Sequence, residues 1–215
     1  MESMLNQQLK QKKTNLSHWF RGFLPVVIDV ETGGIQPHTD ALLEIAAVFL
    51  TVNDENQWCH KETLSFHVQP FPGARLDPKS LEFNKIDPYH PFRFAQEEKE
   101  VLETLFRAIR EATKAAHCHR AVLVGHNAWF DLLFIKTAAE RNQLNLPLHA
   151  FTSFDTASLA GVFLGQTVLA KALEKAGIPF DTKEAHSAIY DAEKTAELFC
   201  AMVNRWKMCE LTSPI

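Results

Sequence analysis

The stretch Pro25-Val-Val-Ile-Asp-Val-Glu31, followed by Thr32-Gly33-Gly34, sets two acids inside an apolar run that ends at a pair of glycines. Such a run reads as a buried β-strand with a turn after it. Side chains two apart on a strand leave the same face, so Asp29 and Glu31 converge. Two carboxylates on one face of an apolar strand repel each other and lose hydration, a cost that a cation between them removes. The ordinary alternative is a strand end running out into solvent, and Asp-x-Glu alone does not separate the two.

A second short apolar strand, Arg120-Ala-Val-Leu-Val-Gly125, is followed by His126-Asn-Ala-Trp-Phe-Asp131. Leu132, Ile135, Ala138 and Ala139 then recur at helical spacing, which predicts a helix opening at about Asn127, a residue type suited to the N-cap. Asp131 therefore lies one turn into a helix at a strand's carboxyl end, where open α/β sheets place their sites, although an acid there also complements the helix dipole. A third cluster, His186-Ser-Ala-Ile-Tyr-Asp191, starts the last long helix, whose apolar stripe is Ile189, Ala192, Ala196, Phe199, Val203 and Trp206. His186 and Asp191 stand roughly 140° apart around an ideal helix. His186 is thus expected in a mobile lead-in after Gly177 and Pro179, with Asp191 fixed on the helix. That suits a base that approaches and withdraws; a lone His before a helix is otherwise a capping or exposed residue.

Together the clusters supply four carboxylates (Asp29, Glu31, Asp131, Asp191) and the imidazole of His186. Magnesium and manganese prefer hard oxygen ligands, and a cation pair roughly 3.5–4 Å apart stabilises both the attacking and the leaving oxygen of phosphodiester cleavage. The coincidence of the three clusters, more than any one of them, points to a site for two divalent ions beside a water that must lose a proton.

Strands are expected near residues 25–31, 42–52, 62–69, 121–125 and 151–155, the first three as a meander and the later two separated by helices. The fold class is α/β, a mixed five-stranded sheet flanked by helices. Residues 70–96 form a link with five prolines, too long for a plain connector. Its Leu81-Glu-Phe83-Asn string is expected as a helical turn forming one wall of a cleft. Asp155 is expected to cap the helix after the fifth strand. Glu44 is ambiguous and stays outside the ligand set, and the directions of Lys79 and Glu82 are open.

At 215 residues and 46 % hydrophobic content, the chain suits one domain with a substantial core. No apolar run approaches the roughly 20 residues needed to span a bilayer, so no membrane association is expected. The first residues lack the layout of a secretory signal. Cys59, Cys118, Cys200 and Cys209 have no metal-type spacing, and a reducing cytoplasm is the expected location. The net charge of −4 includes carboxylates that metal ions would neutralise, so local distribution is more informative. Lys10, Lys12, Lys13, His18 and Arg21 cluster near the start, and Arg107, Arg110, Lys114, His117, His119 and Arg120 precede the second motif. The latter cations also end a helix that carries Leu102, Leu105, Phe106 and Ile109 and begins with Glu97, Glu98 and Glu100, so dipole complementation is the ordinary account.

The order Asp-x-Glu, His-Asn-x-x-Phe-Asp, His-x-Ala-x-x-Asp resembles the DEDDh branch of the DnaQ-like 3′–5′ exonuclease superfamily. Within that branch the chain is similar to the ribonuclease T family, through Phe20-Arg-Gly-Phe23, Phe83-Asn-Lys-Ile-Asp-Pro88, Phe154-Asp-Thr156, Leu164-Gly-Gln-Thr-Val168 and Val203-Asn-Arg-Trp-Lys207. The likeness runs from about residue 18 to 207, which sets an exonuclease domain at 18–207, an N-terminal extension at 1–17 and a C-terminal tail at 208–215.

The resemblance implies a ribonuclease H-like fold and a cytoplasmic, homodimeric exoribonuclease that trims 3′ ends of tRNA and other stable RNA precursors, releasing nucleoside 5′-monophosphates. It implies two Mg2+ ions, with Mn2+ able to substitute, held by Asp29, Glu31, Asp131 and Asp191, and His186 as the general base. It further implies that Phe83, Phe130 and Phe151 pack against terminal bases of RNA with a single-stranded 3′ end. Arg21, Lys114 and Arg120 match positions on the basic surface by which one subunit guides RNA into the other subunit's site. The sequence departs from the family at Ile35, where an aromatic is usual after Asp-x-Glu, and at Leu144-Asn145-Leu146, where relatives carry basic residues. A DNA-directed 3′–5′ exonuclease with single-stranded DNA as substrate shares the same carboxylates. A non-catalytic nucleic-acid-binding module is the third alternative.

Overall fold

The computed structural model describes residues 16–210, with side chains described up to 206. Lys10, Lys12, Lys13, Lys207, Cys209 and most of the expected N-terminal extension and C-terminal tail lie outside that description. Strands β1 (Phe23–Thr32), β2 (Leu42–Val52) and β3 (Trp58–His67) form the meander. Then come α1 (Pro78–Asn84), α2 (Glu98–Ala115), β4 (Arg120–Gly125), α3 (Trp129–Arg141), β5 (Leu148–Asp155), α4 (Thr156–Leu164), α5 (Leu169–Ala176) and α6 (Ala188–Glu210). The five-stranded sheet has the order β3-β2-β1-β4-β5, antiparallel across the meander and parallel from β1 through β4 to β5.

β1 and β4 start two residues and one residue before their expected spans, and β3 and β5 start three or more residues early. The side chain of Asn53 accepts the backbone N–H groups of Glu55 and Gln57, a turn that lets β3 begin at Trp58 rather than residue 62. Polar residues such as Lys61 and Glu62 obscure this because β3 is an edge strand with an exposed outer face. Trp58 is pinned to α6 by two hydrogen bonds with the Asn204 side chain. The fifth strand begins at Leu148 rather than 151, and its register against β4 is irregular between Ala121 and Leu123, which breaks the alternation there.

The period-2 reading of β1 decides which layer each residue meets. Val26, Ile28 and Val30 enter a core with Leu102, Leu105, Phe106 and Ile109 of α2 and Ile135 and Ala138 of α3. Val27 enters the opposite core with Ala192, Ala196 and Phe199 of α6. Asp29 and Glu31 follow Val27 in phase, and so belong to the α6 side of the sheet. The outer part of the α6 stripe is less enclosed than expected: Ile189 and Trp206 are each about two-fifths exposed.

The proline-rich link is ordered by polar ties that range from exposed to buried. Asp77 accepts the Lys79 N–H to cap α1, and Pro78 occupies its first turn. Asn84 donates to the Thr32 carbonyl at the end of β1, and Arg93 donates to the carbonyls of Leu43 and Pro88. These ties hold α1 against the C-terminal end of β1, as the wall the Leu81–Asn84 string was expected to form. Among the described residues, no single helix is long and apolar enough to cross a membrane.

Candidate active site

A cleft of about 680 Å³ opens at the C-terminal ends of β1 and β4, lined by Asp29, Glu31, Asp131, His186 and Asp191, with Phe83, Phe130, Trp129 and Ile35 on its walls. Three sequence segments more than 50 residues apart thus meet at one place. Asp29 pairs in register with Ala46, and Glu31 with Glu44. Asp131 reaches round from α3, where one of its oxygens accepts the Val30 N–H at 3.0 Å. Gly125 permits that approach: a Cβ there would come within 3.2 Å of Asp131 Oδ2 and of the Ala128 Cα.

The lead-in to α6 is built as its spacing required. The helix starts at Ala188, so His186 lies outside it, in a left-handed backbone conformation (φ 70°). The His186 N–H donates to Asp191 Oδ2 at 3.0 Å, which folds the lead-in back over its own helix start. The His186 ring lies 4.1 Å from the Phe83 ring, centroid to centroid. Ligand atoms of Glu31, His186 and Asp191 all lie within 4.8 Å of one another, a group able to hold a metal ion.

Electrostatics separates this cluster from ordinary buried acids. Burial, and then the neighbouring carboxylates Asp131, Glu31, Asp191 and Glu44, push Asp29 well above the usual carboxylate range. Burial is also the main cause that raises Glu31 to about 8, opposed by a hydrogen bond from Asn84. Asp131 is raised chiefly by burial, against the Val30 N–H that favours its charged form. Burial raises Asp191 as well, and its Oδ1 is buried without a hydrogen-bond partner. Among the described residues no Lys or Arg makes an ion pair with any of the four. Clustered hard oxygens, one of them orphaned, with no Lys or Arg counter-ion among the described residues, fit a divalent metal ion.

Some expectations change here. Asn127 does not cap α3: the helix begins at Trp129, and Asn127 takes a left-handed conformation with its N–H donated to Asp155 Oδ1. Asp155 does cap its own helix, accepting the Ala157 N–H and the Ser158 hydroxyl, so one carboxylate ties the ends of β4 and β5 together. His126 is engaged likewise, bonded to the Thr156 hydroxyl and the Thr167 carbonyl, and burial lowers its pKa. Glu44 accepts from His67 Nδ1 at 3.0 Å and adds to the repulsion felt by Asp29 and Glu31. Lys79 lines the cleft, whereas Glu82 is exposed outside its lining.

Phe83 and Phe130 reach the cleft, but Phe151, Arg21, Lys114 and Arg120 do not. Phe151 is 85 % exposed and stacks edge-on against His149, which in turn meets Phe23. Arg120 pairs with Phe23 at the N-terminal end of β4, and Arg21 lies over the Phe23 ring. From Arg120 to Gly125 the strand rises about 16 Å, so this aromatic and basic cluster occupies the end of the sheet opposite the carboxylates. Residues that sequence reading passed over are Asn84, whose amide donates to the Thr32 carbonyl beside Glu31, and Trp129. Only their long-range neighbours reveal them.

An exonuclease family model, RNase_T, matches residues 26–199. Ribonuclease T of Shewanella denitrificans is 56 % identical over 193 residues, covering 89 % of this chain and 85 % of that protein. Ribonuclease T of Photorhabdus laumondii is 55 % identical over 199 residues, 92 % of each chain. Among solved structures, a 3′-exonuclease recognising a histone mRNA stem-loop superposes with a TM-score of 0.72 at 19 % identity, covering 95 % of this chain and 71 % of that one. An E. coli exonuclease I in complex with a dT13 oligonucleotide gives 0.65 at 16 % identity, over 88 % and 43 % of the two chains. The chain belongs to the ribonuclease T family of exonucleases, hydrolytic enzymes of the DEDDh type.

Proposed function

We propose that this chain is a 3′–5′ exoribonuclease that trims the 3′ ends of tRNA and other stable RNA precursors and releases nucleoside 5′-monophosphates. The observation that carries the reading is the meeting of Asp29, Glu31, Asp131, Asp191 and His186 in one cleft whose walls are apolar and aromatic. The four carboxylates would hold two divalent ions, Mg2+ with Mn2+ able to substitute. When bound, such ions neutralise charge building on the attacking and leaving oxygens.

His186, outside the helix and flexed back over Asp191, takes the proton of the attacking water, a role suited to imidazole near neutral pH. Asp131 is clamped by the Val30 N–H, and Glu31, whose charged form Asn84 favours, lines the same cleft. Phe83 and Phe130 stack on terminal bases, contacts that tolerate any base because each has a π-face.

The chain works as a cytoplasmic homodimer in this reading, with residues 18–207 as its exonuclease domain. Arg21, Lys114, Arg120 and Phe151 lie outside the lining of the cleft that holds their own carboxylates. A second subunit whose cleft faces that end would use them, and the exposure of Phe151 supports this.

Digestion of a 3′-labelled RNA, with a matched DNA oligonucleotide alongside, tests the proposal. Expected is Mg2+-dependent release of single nucleoside monophosphates from RNA, abolished by a chelator. Exclusive digestion of DNA would transfer the reading to a DNA exonuclease, and binding without cleavage of either would leave only a nucleic-acid-binding module.

A further inference from the structure

Of the indoles described, Trp58 is buried, Trp19 packs against Trp58 and Phe20, and Trp206 meets Phe163. Trp129 differs: it is 64 % exposed, yet it lines the cleft that holds the carboxylates. Its edge-to-face contact with Phe130, 5.8 Å between centroids, occupies at most one face of the indole. Phe130 in turn leans on Phe134, which is buried in the core. Trp129 is the first residue of α3, two before Asp131, whose carboxylate is locked to β1. Its position relative to the acids is therefore set by the start of a rigid helix.

Large apolar side chains gain nothing for folding by standing two-thirds exposed. Three do so around this cleft, Ile35 (70 %), Phe83 (64 %) and Trp129. A ligand that joins a flat aromatic face to an anionic group answers to the walls directly and to the floor through the cations its carboxylates would hold, and a nucleotide is such a ligand.

We propose that Trp129 is a positioning and specificity residue that stacks on a base within the last two nucleotides of a single-stranded 3′ end. This rests on the exonuclease reading of the cleft. Because α3 carries both the indole and Asp131, stacking would fix the terminal segment in register with the acidic floor. Binding, rather than bond breaking, is what Trp129 governs.

The test uses the full chain in a chelator, so that a short single-stranded RNA binds without being cut. Binding is expected to quench tryptophan emission, and Trp129→Phe to remove most of the quench while holding Kd within about threefold. Trp129→Ala is expected to raise Kd about tenfold, and in Mg2+ to raise KM similarly with kcat within about twofold. RNAs made abasic at each of the last three positions then locate the contact: at one position the abasic change should cost Trp129→Ala nothing further. An unchanged quench in Trp129→Phe with an unchanged Kd in Trp129→Ala overturns the proposal, as does additivity at every position. Circular dichroism of Trp129→Ala should match wild type, since the side chain is not in the core. Failure of wild-type cleavage in Mg2+ would instead strike the exonuclease reading, leaving the binding arms to be judged by themselves.

Discussion

Glu98 and Asp131 are almost equally enclosed, at 6 % and 4 % exposure, and Asp40 is fully buried, yet their surroundings are opposite. Glu98 accepts a two-pronged grip from Arg141 at 2.8 and 3.0 Å and a third bond from Asn142. Asp40 accepts two bonds from Arg75, one from the Gln36 N–H and one from the Thr39 hydroxyl, which hold its carboxyl below the usual range. Asp131 has one strong donor from the backbone and, around it, Asp29, Glu31 and Asp191 with raised pKa values and, among the described residues, no Lys or Arg partner. The same residue type serves as structural ballast in one region and as a binding floor in the other. Whether the protein itself supplies the positive charge decides which.

The sharpest way to break this contrast is to neutralise the floor. Asp29→Asn is expected to cut cleavage by on the order of 10²–10³ or more, with a fold no less stable in the absence of metal. Nuclease rates and melting curves on the same preparation check it; wild-type turnover would remove Asp29 from the ligand set. In the partnered region the result should invert. Arg141→Ala leaves Glu98 buried with only Asn142, and a stability loss of about 3 kcal/mol in urea unfolding is expected, with activity per folded molecule kept.

The pH dependence of the two regions should also run in opposite senses. Glu31 has its ordinary value of 4.5 raised to about 8, so the metal-free fold holds the proton more tightly than the unfolded chain. That stabilisation is full below the ordinary value and is lost as pH rises towards about 8. Added Mn2+ or Mg2+ should therefore raise Tm more at pH 8 than at pH 6; at a hundredfold excess over Kd a single bound ion adds roughly 2.7 kcal/mol of stability. An equal shift at both pH values would argue that the ions bind elsewhere.

Phe83→Ala should raise KM about tenfold with kcat little changed, because stacking contributes to binding more than to the bond-breaking step. The smallest effect concerns Asp40, whose lowered pKa contributes stability above the unfolded value that disappears as pH falls through the folded one. The Tm gap between wild type and Asp40→Asn should narrow on acidification below about pH 4. A gap that stays constant would mean that Arg75 holds the neutral side chain equally well.

Much of this arrangement is written locally. The alternation in Val26-Val-Ile-Asp-Val-Glu31 is enough to place both acids on one face, because side-chain direction in a strand has period two. The five-residue gap between His186 and Asp191 keeps the two off one face of a helix, so a shared site pointed to His186 lying ahead of it, as it does. What local pattern could not supply is which distant group meets which. Asn127 has the chemistry of a cap but was drawn to Asp155, 28 residues away, and the start of β3 was masked by polar residues on a face that only an edge strand exposes.

The chain's own letters therefore pointed to the fold class, to the five residues that meet in the cleft and to the strand face from which Asp29 and Glu31 leave, since periodicity and motif spacing are properties of neighbouring residues. Only the assembled sheet decided that the basic cluster and Phe151 lie at the far end from the acids, that Trp129 enters the cleft, and that Asn84 is tied to the Thr32 carbonyl beside Glu31. Those outcomes depend on strand order and on contacts across tens of residues, and no local rule carries that information.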